Sequence, residues 1–97
     1  MRTFYSSYIQ HCMRFYARHS EPNFRSDADK RNWESCEDAI KTFTDNEQDI
    51  LLTIYRDGDS LEDSIRTTSI ELGVNRDMIW KLVNELEKKI AKRRNLI

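Results

Sequence analysis

The chain has few residues that interrupt regular structure and no long apolar run. Its 97 residues include only two glycines and one proline, whereas a strand-rich fold needs turn residues far more often. No apolar run approaches the roughly 20 residues that span a bilayer, and the N-terminus lacks the apolar core of a signal peptide. We therefore expect a single all-α domain over residues 1–97, located in the cytoplasm and without membrane contact.

Residue patterns for metal binding or catalysis are also scarce. The two cysteines, Cys12 and Cys36, fall at apolar positions of separate predicted helices, and there is no CxxC or HExxH spacing. A redox switch would require the two thiols to be adjacent and one of them to be exposed. The chain has no Gly-rich phosphate loop and no nucleophile elbow. We predict buried thiols, no metal, no cofactor and no enzymatic activity.

Charge is distributed unevenly along a chain whose net charge is −1. Residues 1–43 carry seven basic and six acidic side chains, and residues 44–72 carry two basic and eight acidic ones. Residues 73–97 carry seven basic and three acidic side chains. A polyanion would meet this local excess and not the average charge, so the last predicted helix is the candidate for its contact.

The spacing of apolar residues predicts five helices, at about 3–19, 27–43, 45–56, 60–72 and 75–94. Pro22 separates the first two helices, and the first pair is expected to cover the apolar back of the remainder. The residues expected to face the core are Phe4, Tyr8, Met13, Ala28, Trp33, Cys36, Ile40, Phe43, Ile50, Leu51, Ile54, Tyr55, Leu61, Ile65, Ser69, Leu72, Ile79, Leu82, Val83, Leu86 and Ile90.

Local signals mark the ends of the last three helices. Thr44 and Glu47 have the spacing of a capping box, in which each side chain bonds the backbone of the other. Gly58 suits the left-handed exit of the third helix, and Gly73 suits the same role before the fifth. Asn75 can cap the fifth helix. The boundaries of these helices should therefore be well defined by the sequence.

The stretch "ELGVNRDMIWK" (residues 71–81) joins the last two helices and favours a helix-turn-helix. In that arrangement the second helix presents its exposed residues to the DNA major groove, although a Gly-centred corner between packed helices has the same pattern. The predicted DNA-binding residues are Asn75, Arg76, Lys81, Asn84, Lys88, Lys89 and Lys92, the last three as phosphate contacts.

Two stretches, "FTDNEQDILLTIYRDGDS" and "LGVNRDMIWKLVNELEKKIAKRR", carry a family resemblance. They resemble the region-four domain of bacterial sigma factors and the small sigma-like regulators of Gram-positive bacteria and their mobile elements. The matching positions are Phe43, Thr44, Glu47, Ile50, Leu51, Leu72, Gly73, Val74, Asn75 and Ile79. The resemblance covers residues 43–94, and residues 1–42, the N-terminal helical pair, look like the first part of small proteins from such elements. It implies a sequence-specific DNA-binding regulator of transcription, whose recognition helix starts at Asn75.

Some positions differ from the family pattern and indicate an alternative. Thr67, Thr68 and Ser69 stand where the family commonly has an acidic residue, isoleucine and alanine. Met78 and Trp80 occupy positions that are commonly polar, and an exposed pair of this kind fits a protein contact as well as a base contact. The alternative function is a protein-interaction module that keeps the fold without reading DNA. Its partner would be RNA polymerase or a second copy of the chain.

Overall fold

The described part of the chain forms five helices, and each contributes an apolar stripe to one core. The computed structural model describes residues 4–19, 24–58 and 60–97. Its helices are α1 (Ser6–Arg18), α2 (Asp27–Ile40), α3 (Asp45–Arg56), α4 (Leu61–Leu72) and α5 (Arg76–Arg93). The described ranges contain no strand, so the all-α prediction is confirmed there. Pro22, predicted to separate the first two helices, lies outside the described residues.

Side-chain caps begin four of the five helices. At α3, the Glu47 amide donates to the Thr44 hydroxyl at 3.3 Å, and the Thr44 amide donates to the Glu47 carboxylate at 2.9 Å. The predicted capping box is therefore confirmed. Side-chain oxygens of Ser26, Ser60 and Asn75 cap α2, α4 and α5. These caps satisfy backbone N–H groups that have no partner within the helix.

Helix α2 ends at Ile40, three residues earlier than predicted. The amide of Thr42 bonds the carbonyl of Ala39 and the amide of Phe43 bonds that of Ile40, which is the i−3 pattern of a turn. The Thr42 hydroxyl also donates to the Ala39 carbonyl at 2.7 Å. These i−3 hydrogen bonds replace the i−4 pattern, so the α-helix ends at Ile40. Phe43 lies beyond this end but is buried as predicted.

Helix α5 is the central element of the packing, because it contacts each of the other four helices. Helix α3 packs against α1, α4 and α5, and α2 packs against α1 and α5. The buried apolar residues are Ile9, Cys12, Met13, Cys36, Ala39, Ile40, Phe43, Leu51, Ile54, Tyr55, Leu61, Ile65, Ile79, Leu82, Val83, Leu86, Ile90 and Ala91. None of the described helices has the length and apolar character needed to cross a membrane.

Four residues predicted to face the core are exposed, so those predictions were wrong. Phe4 precedes the first residue of α1, where helical spacing no longer applies, and is 84% exposed. Tyr8 is exposed because its hydroxyl bonds Asn32 at the surface. Ala28 lies in the exposed first turn of α2. Leu72 is the last residue of α4 and is 57% exposed. All four lie at helix ends or on an outer face that is in contact with water.

Candidate functional site

The connection between α4 and α5 is short and is closed by one side chain. Gly73 has φ 64° and ψ 33°, a left-handed conformation that residues with a Cβ seldom adopt. Its amide and that of Val74 both donate to the Ser69 carbonyl, the second at 3.1 Å. The Ser69 hydroxyl in turn donates to the Val74 carbonyl. The Ser69 hydroxyl and carbonyl therefore both bond the segment that joins α4 to α5.

The sequence predicts Ser69 only as a core position. Its bond to Val74 was missed, although a hydroxyl residue shortly before a glycine corner is a usable signal for such a bond. Thr68, its neighbour, is buried, whereas Thr67 is exposed. Thr67, Thr68 and Ser69 therefore have three different environments.

The two sides of α5 differ in both burial and chemistry. Ile79, Leu82, Val83, Leu86 and Ile90 are buried on one side. The exposed side carries Lys81, Asn84, Glu85, Lys88 and Lys92. We call Lys81, Asn84, Lys88 and Lys92 the α5 stripe. At 100° per residue these four side chains fall within an arc of about 80°, and Lys81 and Lys92 are about 16 Å apart along the axis. Four of the seven predicted DNA-binding residues thus share one exposed surface.

The leading end of α5 adds three exposed residues, Asn75, Arg76 and Asp77. The carboxamide oxygen of Asn75 accepts from the Asp77 amide at 2.7 Å, which is the cap of the helix. Since this oxygen is already occupied, Asn75 has less capacity for base contact than the sequence suggested. Arg76 is the exposed first residue of α5, at the positive end of the helix dipole.

Lys89 lies apart from the stripe, although it was predicted with it. Its ammonium donates to the Thr42 hydroxyl at 2.7 Å and lies 4.5 Å from the centroid of the Phe43 ring. The Glu85 carboxylate is 3.7 Å away. These contacts give Lys89 a structural role, because they attach α5 to the segment between α2 and α3.

Trp80 and Met78 are separated from one another by the fold. Met78 is 44% exposed, whereas Trp80 is half-buried against the core. Trp80 lines a cleft of about 310 Å³ between the first turns of α1 and α4, together with Ser6, Ser7, Gln10, Ser60, Leu61 and Glu62. The Glu62 carboxylate makes this flank of α5 less positive than the stripe. The leading part of α5 therefore has a polar stripe beside an aromatic flank.

The last turn of α5 is joined to α1 and α2 by a polar chain that the sequence did not reveal. The Arg94 guanidinium donates to the Asn32 carboxamide oxygen at 2.6 Å, and the Asn32 amide donates to the Tyr8 hydroxyl at 2.8 Å. Arg93 and Arg94 also line a small cleft with Glu34 and Asp38 of α2. These two arginines are therefore close to carboxylates and contribute less to the stripe than their sequence position suggests.

The cysteines are buried free thiols, as predicted. Burial raises the pKa of the Cys36 thiol far above its ordinary value, and the nearby Cys12 raises it further. Burial also raises the pKa of Cys12, although a hydrogen bond with Tyr8 partly opposes this. Both thiols are neutral near pH 7 and therefore weak nucleophiles. Within the described ranges, no group of three His, Cys, Asp or Glu side chains could hold a metal ion.

No family model, curated protein sequence or solved structure matches this chain. The resemblance to sigma region four therefore depends on the motif positions in residues 43–94. The geometry around Gly73 and the exposed face of α5 are the observations from which a function can be argued.

Proposed function

We propose that the chain is a DNA-binding protein of transcription control, with α4 and α5 as a helix-turn-helix. The observation that carries the proposal is the α5 stripe, in which three lysines and one asparagine lie exposed along a helix whose other side is buried. Support comes from the left-handed Gly73 and from the resemblance to sigma region four. A helix that is anchored from behind can enter the major groove without rearrangement.

The chemistry of each side chain suggests how the contacts divide. Arg76 and Lys81, near the start of α5, would contact guanine edges, and Asn84 has the donor and acceptor pair that adenine requires. Lys88 and Lys92 lie one and two turns beyond Asn84 on α5, and they would contact phosphates and position the helix. Because Lys89 is bound to Thr42 and Phe43, it would contribute little.

Fluorescence anisotropy with a labelled duplex at several salt concentrations tests the proposal. We expect log affinity to fall linearly with log salt concentration. In a Lys81→Gln, Lys88→Gln, Lys92→Gln variant this slope should become shallower by about 0.9 for each phosphate contact removed. The matched control is Lys30→Gln, Arg31→Gln, Lys41→Gln. It removes the same charge from exposed positions of α2 and from Lys41, the exposed residue that follows the helix.

Equal losses in the two triple variants would show that net charge, and not the α5 stripe, determines binding. Undetectable binding of several unrelated duplexes by the wild-type chain at low salt would contradict DNA binding itself. Substituting Arg76 alone should relax the preference for one base pair more than it weakens binding to random duplex.

A second function, protein interaction, is favoured by exposed apolar side chains near the same corner. Ile70 is 76% exposed, and Leu72 and Met78 are also exposed. A partner at this surface would be RNA polymerase or a second copy of the chain. Sedimentation of the pure chain separates these cases. Self-association that a Leu72→Ser, Met78→Ser variant abolishes would support the second copy, and a monomer at high concentration would exclude it.

A further inference from the structure

A second concave surface lies outside the helices of the proposed DNA contact. It is a solvent-open cleft of about 720 Å³ between the end of α1, α2 and α3. Its described lining includes the rings of Tyr16, Phe24 and Trp33, the carboxylates of Glu34 and Glu37, and Arg18. Its volume is within the range of roughly 300–1,000 Å³ that is common for small-molecule sites, and none of its lining residues belongs to α4 or α5.

Three aromatic rings form a corner in this cleft, with Trp33 at its centre. The Tyr16 ring lies 4.6 Å from the Trp33 ring with an interplanar angle of 55°, and the Phe24 ring lies 6.1 Å away at 66°. Phe15 supports Trp33 with an edge contact at 6.1 Å. Aromatic faces carry partial negative charge, so a corner of tilted rings attracts a cation.

Two carboxylates on the same face of α2 add to this field. A hydrogen bond with Lys41 and its positive charge lower the pKa of Glu37, so this carboxylate is ionised near neutral pH. Glu34 is one turn away; it pairs with Lys30 at 4.0 Å and also lines the small cleft of Arg93 and Arg94. Of the described residues that line the cleft, Arg18 carries a positive charge, and its guanidinium donates to the carbonyl oxygens of residues 56 and 58.

The aromatic content of the lining decides which cation fits. A primary ammonium has three N–H donors to satisfy, and Glu37, one of the two carboxylates, already accepts from Lys41 at 2.8 Å. The other side chains that a primary ammonium would meet are mainly aromatic rings, which accept only weak hydrogen bonds. A quaternary ammonium has no N–H, and its methyl groups contact aromatic rings favourably. We therefore propose that this cleft binds a small quaternary ammonium compound against Tyr16, Phe24 and Trp33, with Glu34 as the neighbouring countercharge.

Choline and its uncharged isostere 3,3-dimethyl-1-butanol distinguish cation recognition from simple apolar binding. In a Trp80→Phe variant, Trp33 is the single tryptophan and reports on the cleft by fluorescence. We expect saturable quenching by choline at millimolar concentration and roughly tenfold weaker binding of the isostere. Saturation-transfer NMR of the choline methyl groups on the wild-type chain gives the same comparison without any substitution.

Matched variants locate the site. Phe24→Leu and Glu34→Gln should each weaken choline binding severalfold, whereas Phe4→Leu, an exposed phenylalanine outside the cleft, should leave it unchanged. The triple lysine variant of the α5 stripe should also bind choline normally, which separates this proposal from DNA binding. Absence of methyl saturation on the wild-type chain, or equal binding of the isostere, would overturn the proposal.

Discussion

Helices α1 and α5 both contribute to the core, but they divide their side chains differently. Helix α5 places aliphatic residues on one side and lysines on the other, so its polar face is continuous. Helix α1 has aromatic residues such as Phe15 and Tyr16 that are only partly buried. An aliphatic stripe can be sealed completely, whereas a large ring at the edge of the core keeps one face in contact with solvent.

This difference has a functional consequence. The exposed face of α5 is polar and available because the aliphatic side provides the packing. The α1 side of the molecule instead presents ring faces, which with Trp33 and Phe24 form the aromatic cleft. One surface is suited to a polyanion and the other to a small cation. The two proposed sites can therefore be tested independently.

The largest effect is expected from disrupting the buried side of α5. Leu86 is fully buried, so Leu86→Ala should lower the free energy of unfolding by about 2–5 kcal/mol, because it removes apolar contacts and leaves a cavity. Leu72→Ala, at an exposed position, should change it by about 0.5 kcal/mol or less. Urea denaturation measures both. Similar losses in the two variants would contradict the assigned burial.

The two glycine turns should differ in their tolerance of alanine. Gly58 and Gly73 have φ values of 81° and 64°, so alanine is strained at either position by about 1–2 kcal/mol. At Gly58 a Cβ would also meet the Ser64 hydroxyl, whereas at Gly73 it meets nothing within 4 Å. We expect Gly58→Ala to lower the melting temperature more than Gly73→Ala. The reverse order would show that the α4–α5 corner is the more constrained turn.

A smaller effect distinguishes two adjacent lysines of α5. Lys89→Ala should lower the free energy of unfolding by about 1 kcal/mol, because it loses the bond to Thr42 and the contact with the Phe43 ring. Lys88→Ala should have almost no effect on stability, since Lys88 is exposed. In duplex binding the order should reverse: the Lys88→Ala variant should bind the duplex more weakly than the Lys89→Ala variant. Equal behaviour in both assays would remove the distinction between the α5 stripe and Lys89.

Local signals explain which parts of the fold could be predicted. The bounds of α3 agree with the prediction, because Thr44 and Glu47 fix the start of the helix. Asn75 and Gly73 do the same for the start of α5. The end of α2 was predicted three residues too late, because Phe43 continues the apolar spacing although it lies in a turn.

Contacts between residues distant in the chain could not be predicted. Lys89 and Thr42 are 47 positions apart, and Arg94 and Asn32 are 62 apart. Neither pair has a local pattern, so Lys89 could not be separated from its neighbours Lys88 and Lys92 in the sequence. The environment of Trp80 could not be predicted either, because it depends on where the first turns of α1 and α4 meet.

Amide chemical-shift mapping of the wild-type chain during titration with an unlabelled duplex tests the central claim most directly. Our account predicts that the largest changes fall between residues 75 and 92, on Arg76 and the α5 stripe, while the exposed acidic start of α3 is unaffected. Changes centred on α1 and α2, or a spectrum that the duplex leaves unaltered at low salt, would contradict it.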